Sequence, residues 1–378
     1  MDETPLEGDR PQSPTRAPGD PGPRTVVVTG AAGFVGMHTA WRLLDAGHRV
    51  IGIDSLDDYY PRVLKEARLA QLATHSRAAA LRVEICDIAD PSAIEAVFDS
   101  EAIVDVVHLA AQAGVRYSMI DPLRYARSNL VGTTVILEAC RHHGIRHLVY
   151  ASSSSVYGDR ANPPFRESDI VDSPASFYAA TKRSNELMVQ TYASLYRLRC
   201  TGLRLFTVYG PWGRPDMAPW LFTERILRGA PIQVFGEGRP RRDFTFVEDC
   251  ADNIVRLLDR PLVTDPDQVE HQVVNVGSDN PVPVATLIDI VERHTGRRAE
   301  RVLRPLPPGD VGLTAADPTL LEALGGARPH TPLDIGIERF VCWYRQHPQL
   351  ADAVWQSRDG DAKAIAKPAV ASREGAVK

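Results

Sequence analysis

Tyr178-Ala-Ala-Thr-Lys182 sets a phenol and an ammonium four residues apart in a run of helix-forming residues. Side chains at that spacing share one face of a helix, so both point into a single cleft. A free tyrosine titrates at about 10 and is a poor base near neutrality. A neighbouring ammonium favours the phenolate, and so would the positive ring of an oxidised nicotinamide. A pair tuned in this way suits the removal of a proton from a sugar hydroxyl. Alone, Tyr-x3-Lys also describes many surface pairs on amphipathic helices. Its weight comes from what lies upstream.

Val28-Thr29-Gly30-Ala-Ala-Gly33-Phe34-Val35-Gly36 follows a strand-like run and opens a helical one. Such glycines let backbone N–H groups approach a pyrophosphate, and the helix N-terminus attracts its charge. The spacing is G-x-x-G-x-x-G rather than G-x-G-x-x-G, which points to the short-chain dehydrogenase lineage. Asp54 closes the second strand about 20 residues on, where a carboxylate holds the adenosine ribose hydroxyls. It would repel a 2′-phosphate, so NAD is expected over NADP. Asp87-Ile88, after the third strand, is placed to meet the adenine, with capping an almost equal use for Asp87. Ser152-Ser153-Ser154-Ser155-Val-Tyr157-Gly158 ends another parallel strand, and ligands collect at such ends. A serine run can be loop filler, but beside Tyr178 it supplies a hydroxyl to the same substrate oxygen. Arg214 and Arg241-Arg242 stand in Pro- and Gly-rich stretches. They read either as a solvated basic patch or as bidentate partners of phosphate and carboxylate oxygens.

These residues need a scaffold, and the hydrophobic pattern supplies one. Strands are expected at 24–29, 49–54, 81–85, 103–109, 147–152 and 200–206, with helices between them, notably over 34–46, 129–143 and 176–196. That alternation predicts an α/β fold, a doubly wound parallel Rossmann sheet with helices on both faces. Near-continuous apolar strands fit a sheet covered on both sides. Residues 24–206 form mainly the NAD-binding domain. Residues 207–354 are expected to form mainly a smaller, loop-rich α/β region that binds substrate, with the chain crossing back to the sheet. Residues 1–23, dense in Pro, Gly, Ser and charge, read as a disordered leader, and 355–378 as a disordered tail.

The chain has 378 residues, 44% of them hydrophobic, and a formal net charge of -5. That balance argues against a nucleic-acid or membrane-surface partner. No apolar run reaches the roughly 18 residues of a membrane span, and no basic-then-apolar signal opens the chain, so a cytoplasmic protein is expected. The five cysteines are dispersed and read as ordinary thiols. His142-His143 has no partner at metal-ligand spacing, so no metal is expected.

Further segments carry a resemblance. They include Gly52-Ile-Asp54-Ser-Leu-Asp-Asp-Tyr59-Tyr60, His108-Leu109-Ala110-Ala111-Gln-Ala-Gly-Val-Arg116-Tyr-Ser, Ser128-Asn129-Leu-Val-Gly132, Thr207-Val-Tyr-Gly-Pro-Trp-Gly-Arg214-Pro-Asp-Met, Arg241-Arg242-Asp-Phe-Thr, Pro308-Gly-Asp310-Val and Phe340-Val-Cys-Trp-Tyr344. With the glycine, serine and Tyr–Lys motifs they span residues 24 to 347. The chain resembles the extended short-chain dehydrogenases/reductases (the NAD-dependent epimerase/dehydratase family) that act on nucleotide sugars, and among them the UDP-glucuronate 4-epimerases. The resemblance implies NAD-dependent C4 epimerisation of UDP-glucuronate to UDP-galacturonate through a 4-keto sugar, and a homodimer. It implies Tyr178 as acid/base, Lys182 as its tuner and a ribose ligand, and Ser153 at the sugar 4-oxygen. Gly30, Gly33, Phe34, Val35, Gly36, Asp54, Asp87, Ile88, Leu109, Ala110, Ala111 and Asn129 would line the NAD site. Arg242 and Asp310 would hold the UDP. Thr207, where neutral-sugar epimerases usually carry Asn, would contact the uronate carboxylate with Ser154, beside Ser155, and with Arg214 or Arg116.

Four rivals remain at this level. A dehydratase would carry Asp-Glu after the hydroxyl residue, where this chain has Ser154-Ser155. A UDP-glucuronate decarboxylase or a neutral UDP-hexose 4-epimerase shares the oxidation step. A non-catalytic NAD-binding regulatory protein would have lost the Tyr–Lys–Ser group.

Overall fold

A computed structural model describes residues 22–159, 163–260, 271–306 and 310–365, with side chains up to residue 357. The expected leader lies almost wholly outside the described residues, and so do Pro308 and Gly309.

The main sheet has seven strands, β1 (Thr25–Thr29), β2 (Arg49–Asp54), β3 (Leu81–Ile85), β4 (Asp105–His108), β5 (His147–Ser153), β6 (Cys200–Leu205) and a late arrival, His271–Val276. Its order is His271–Val276, β6, β5, β4, β1, β2, β3, and every pairing is parallel. The order reverses between β1 and β4, and a crevice opens at the carboxyl ends of the strands there.

Alternation along the strands splits the core between two faces. Val26, Val28, Val50, Val107, Val149 and Leu203 pack in one cluster with Val247, Ile254, Trp212, Phe340 and Trp343. Val27, Ile51, Ile53, Val106, Leu148 and Tyr150 pack in another with Ile94, Ile136 and Val189. Successive strand residues point to opposite faces, so both sides of the sheet are buried.

After β6 the chain leaves the sheet. β7 (Thr207–Tyr209) pairs in parallel with β9 (Arg241–Phe246), which β11 (Pro281–Pro283) flanks antiparallel. β8 (Ile232–Phe235) pairs with β12 (Arg301–Arg304) in a two-stranded ribbon. The strand between β9 and β11 in sequence, His271–Val276, is therefore β10, which returns to the main sheet beside β6.

Two buried cations lock the parts that matter. Arg68, fully buried, donates to the carbonyls of Trp212 (2.7 Å), Gly213 (3.0 Å) and Ala32 (3.1 Å). It ties the glycine loop to the start of the second region. Arg204 on β6 grips Glu186 at 2.9 and 3.0 Å, and Glu186 also accepts from Ser152 at 2.6 Å. Helix Phe177–Tyr196 is thereby fixed against the end of β5.

Two expectations change. The single helix expected from residue 129 is a chain of turns: an α-turn at Pro122–Tyr125, a π segment at Ala126–Val131, then helix Gly132–His142. The tail is not unstructured from residue 355, because helix Pro348–Ile365 runs through it. Ala351 and Val354 are buried, and Trp355 stacks under Arg228 at 4.9 Å. The tail beyond residue 365 lies outside the described residues.

Candidate active site

One cleft of about 1150 Å³ runs along the carboxyl edge of the sheet, between the main sheet and the second region. It is lined by Gly30, Gly33, Phe34, Val35 and Gly36 on one wall, and by Tyr178, Lys182 and Ser153–Ser155 on another.

The glycine turn is dictated by its own backbone. Gly30 has φ +74°, and a Cβ there would sit 2.9 Å from the Ala110 nitrogen. A Cβ on Gly36 would stand 2.0 Å from the Gly30 carbonyl oxygen, and one on Gly33 2.8 Å from it. Only glycine permits so tight a turn into helix Phe34–Asp45, whose first turn carries no acidic residue and no side-chain cap. That bare positive end faces the cleft and fits a pyrophosphate. Asp54 ends β2 nearby and accepts from the Ala32 and Leu56 amides at 3.0 and 2.8 Å. Buried Lys65 stands 3.8 Å from it. Asp87 accepts from the Ala89 amide at 2.9 Å, the expected capping use, and its other oxygen pairs with Arg127 at 2.9 Å at the edge of the cleft. These features fit the adenosine half of a dinucleotide.

Asn129 does not line the cleft. It is buried, and its carboxamide clamps the Gln112 backbone from both sides (2.8 and 3.1 Å) and accepts nothing from outside. The side chain fixes the β4 loop whose Leu109, Ala110 and Ala111 do line the cleft. Its contacts within the protein are those of a positioning residue for that loop.

Tyr178 opens helix Phe177–Tyr196, capped by Ser176. Burial raises its phenol pKa, while the Ser153 hydroxyl and the Arg214 guanidinium pull it down. Lys182 is buried and donates to the Ala151 carbonyl at 2.8 Å; burial brings its ammonium down to about 8. Arg214 is thus a second cation that favours the phenolate, beside the Lys182 expected from the sequence. Ser153 accepts from the Ser155 amide and hydroxyl at 3.2 and 2.9 Å, which leaves its own O–H as a donor.

Thr207 begins β7 and faces the same space, with Arg214 a turn of chain away. Arg214 is held bidentately by Asp216 at 3.0 and 2.6 Å, and Tyr59 donates to Asp216 at 3.1 Å. Arg116 is elsewhere. It binds Asp310 at 2.7 Å and stacks on Phe235 at 4.6 Å, beside Arg242. Arg116 therefore keeps company with Asp310 and Arg242, the residues expected to hold UDP. The loop's direction after β4 decides this, and spacing in the sequence does not encode it.

Tyr59, Lys65, Asp216 and Phe235 also line the cleft and were not singled out from the sequence. Asp216 lies two residues from Arg214 and was the legible one; Phe235 is an ordinary strand-end aromatic. His143 lies 3.1 Å from Glu95 and 3.9 Å from Asp99, neighbours that its sequence spacing conceals. None of the three lines the cleft. Among the described residues no helix is long and apolar enough to cross a membrane.

Known proteins share this layout. A probable UDP-glucuronate 4-epimerase of Rhizobium meliloti is 42% identical over 337 residues, covering 86% of this chain and 98% of that protein. UDP-glucuronate 4-epimerase 4 of Arabidopsis thaliana is 43% identical over 331 residues, 85% of this chain and 75% of that one. The crystal structure of UDP-glucuronic acid 4-epimerase from Bacillus cereus, in complex with UDP-glucuronic acid and NAD, superposes with a TM-score of 0.77 at 31% identity. The match covers 85% of this chain and 99% of that one. Residues 26–277 match the model of the NAD dependent epimerase/dehydratase family, and to that family the chain belongs.

Proposed function

We propose that this enzyme inverts C4 of UDP-glucuronate to give UDP-galacturonate, with NAD as a resident cofactor. The observation that carries the reading is the meeting of Tyr178, Ser153 and Lys182 with Thr207 and Arg214 in the cleft that the Gly30–Gly36 turn opens. Tyr178 takes the proton from O4 and later returns it, and Ser153 holds the same oxygen by hydrogen bond. Lys182 positions the nicotinamide ribose and Tyr178. NAD, which the Gly30–Gly36 turn and Asp54 would hold, would supply the acceptor and the donor of the C4 hydride. Between the two transfers the 4-keto sugar turns over about its link to the phosphate, while Arg242, Asp310 and Arg116 keep the UDP in place. Ser154 and Thr207 hold the C6 carboxylate, with Arg214 as its cation.

NMR of the product formed from UDP-glucuronate tests this. UDP-galacturonate is expected. A UDP-pentose would make the enzyme a decarboxylase, and an unchanged spectrum with turnover of UDP-glucose would make it a neutral-hexose epimerase.

We further infer a homodimer in the cytoplasm. Exposed Leu187 and Leu195 lie two turns apart on helix Phe177–Tyr196, and exposed Val131 and Leu123 lie in the preceding helical run. An apolar stripe of that kind fits a helix-to-helix contact between copies. All five cysteines are unpaired, as a reducing compartment requires. Light scattering at micromolar concentration should return twice the chain mass.

A further inference from the structure

Arg214 already has a carboxylate. Its Nε and Nη2 donate to the two oxygens of Asp216 at 3.0 and 2.6 Å, the fork geometry that a sugar carboxylate would also seek. Among the described hydrogen bonds Nη1 has no partner, so one edge of the guanidinium remains for a ligand. Asp216 is itself anchored. The Tyr59 hydroxyl donates to its second oxygen at 3.1 Å, and the Tyr59 ring lies 6.0 Å under Arg214. Tyr59 in turn rests on Gly114, where a Cβ would come within 2.4 Å of the hydroxyl. Arg214, Asp216 and Tyr59 all line the cleft, and the Asp216 side chain keeps a third of its surface in solvent. Although burial opposes it, the Arg214 guanidinium holds Asp216 below the usual carboxylate range, so it stays charged near neutrality.

We infer that Asp216 is a specificity-determining residue that competes with the substrate's C6 carboxylate for Arg214. This rests on the uronate reading above. A uronate reaching Arg214 meets a guanidinium half spent and a second negative charge beside it, and like charges a few ångströms apart repel. A neutral hexose meets neither effect. Asp216 therefore weakens the binding of the anionic sugar alone, and so limits how strongly the site holds substrate and product that carry the same charge. The alternative role, a scaffold that aims Arg214, makes the opposite prediction.

Calorimetric titration of UDP-glucuronate and UDP-glucose into NAD-loaded wild type, Asp216→Asn and Asp216→Ala separates the two. Removing the charge should tighten UDP-glucuronate about tenfold in both variants, while UDP-glucose moves by less than about twofold. The gain should vanish in the Arg214→Ala, Asp216→Asn double variant. Weaker binding of UDP-glucuronate, an equal change for both sugars, or a gain that survives without Arg214 would each overturn the inference. Asp216 lies in an exposed loop, so both single variants can fold, and their melting curves report it. If the wild type fails to epimerise UDP-glucuronate at all, the functional reading has failed; if it succeeds without selective tightening in the variants, only the role of Asp216 has.

Discussion

Oxidising C4 of a glucuronate places a ketone β to the C6 carboxylate, and β-keto acids lose CO2 readily. Loss is fastest when the C5–carboxylate bond lies parallel to the carbonyl π system. An epimerase must keep that bond near the carbonyl plane until hydride returns. The structure offers three groups for this, Ser154, Thr207 and Arg214, all lining the cleft. Thr207 is pinned by its strand: β7 pairs with β9 in the register Thr207 to Phe244. Thr207→Ala therefore deletes a hydroxyl without moving the backbone. A hydrogen bond to a charged group is worth about 1.5–3 kcal/mol, which corresponds to a shift of roughly 10- to 150-fold in the partition between hydride return and CO2 loss. Arg214→Ala should fall at the lower end, because Asp216 already occupies two of its donors. The two losses act on one carboxylate and should not add in the double variant.

The assay follows UDP-glucuronate by NMR, trapped CO2 and the near-ultraviolet absorbance of reduced cofactor. Both single variants should epimerise more slowly, release a UDP-4-keto-pentose and accumulate reduced cofactor. If both slowed epimerisation with no rise in CO2 or reduced cofactor, these residues would be plain binding contacts, or outside the site.

Tyr178→Phe should fold, bind NAD and lose turnover by at least about a hundredfold, since only the proton carrier is removed; retention of more than about a tenth of the rate would remove Tyr178 from the role. Protein stripped of cofactor should regain activity with NAD+ far better than with NADP+, because Asp54 stands where a 2′-phosphate would go; equal rescue would mean that Lys65, 3.8 Å away, cancels that repulsion. Lys182 gives a stability test. Its folded pKa, about 8, lies below the 10.5 of the unfolded chain, so the folded state binds fewer protons between those values and gains stability as pH rises. Any advantage of Lys182→Met in melting temperature at pH 7 should therefore shrink above pH 8, measured on cofactor-free protein; an advantage constant with pH would mean that burial does not depress Lys182.

Much of this was legible because period and motif act locally. β2 and β3 occupy the expected residues, and β1, β4, β5 and β6 differ only at their ends. Gly30 to Gly36 was legible because crowding inside one turn admits no other residue. What resisted were facts set by tertiary contact. Asn129 sits in a π segment that no hydrophobic period announces, and its partners come from the β4 loop and from Thr181. Arg116 pairs with Asp310, far along the chain, a partner that local spacing does not announce. The tail's Ala, Lys and Asp suit a helix as well as disorder, and the choice is made by burial of Ala351 and Val354 against the core.

In this mechanism hydrogen leaves C4 as hydride and comes back to C4. UDP-glucuronate deuterated at C4, incubated with the enzyme in ordinary water, tests it most directly. UDP-galacturonate should form more slowly, with the deuterium retained at the inverted C4. Loss of that label to solvent, or solvent hydrogen exchanged into C5, would contradict it.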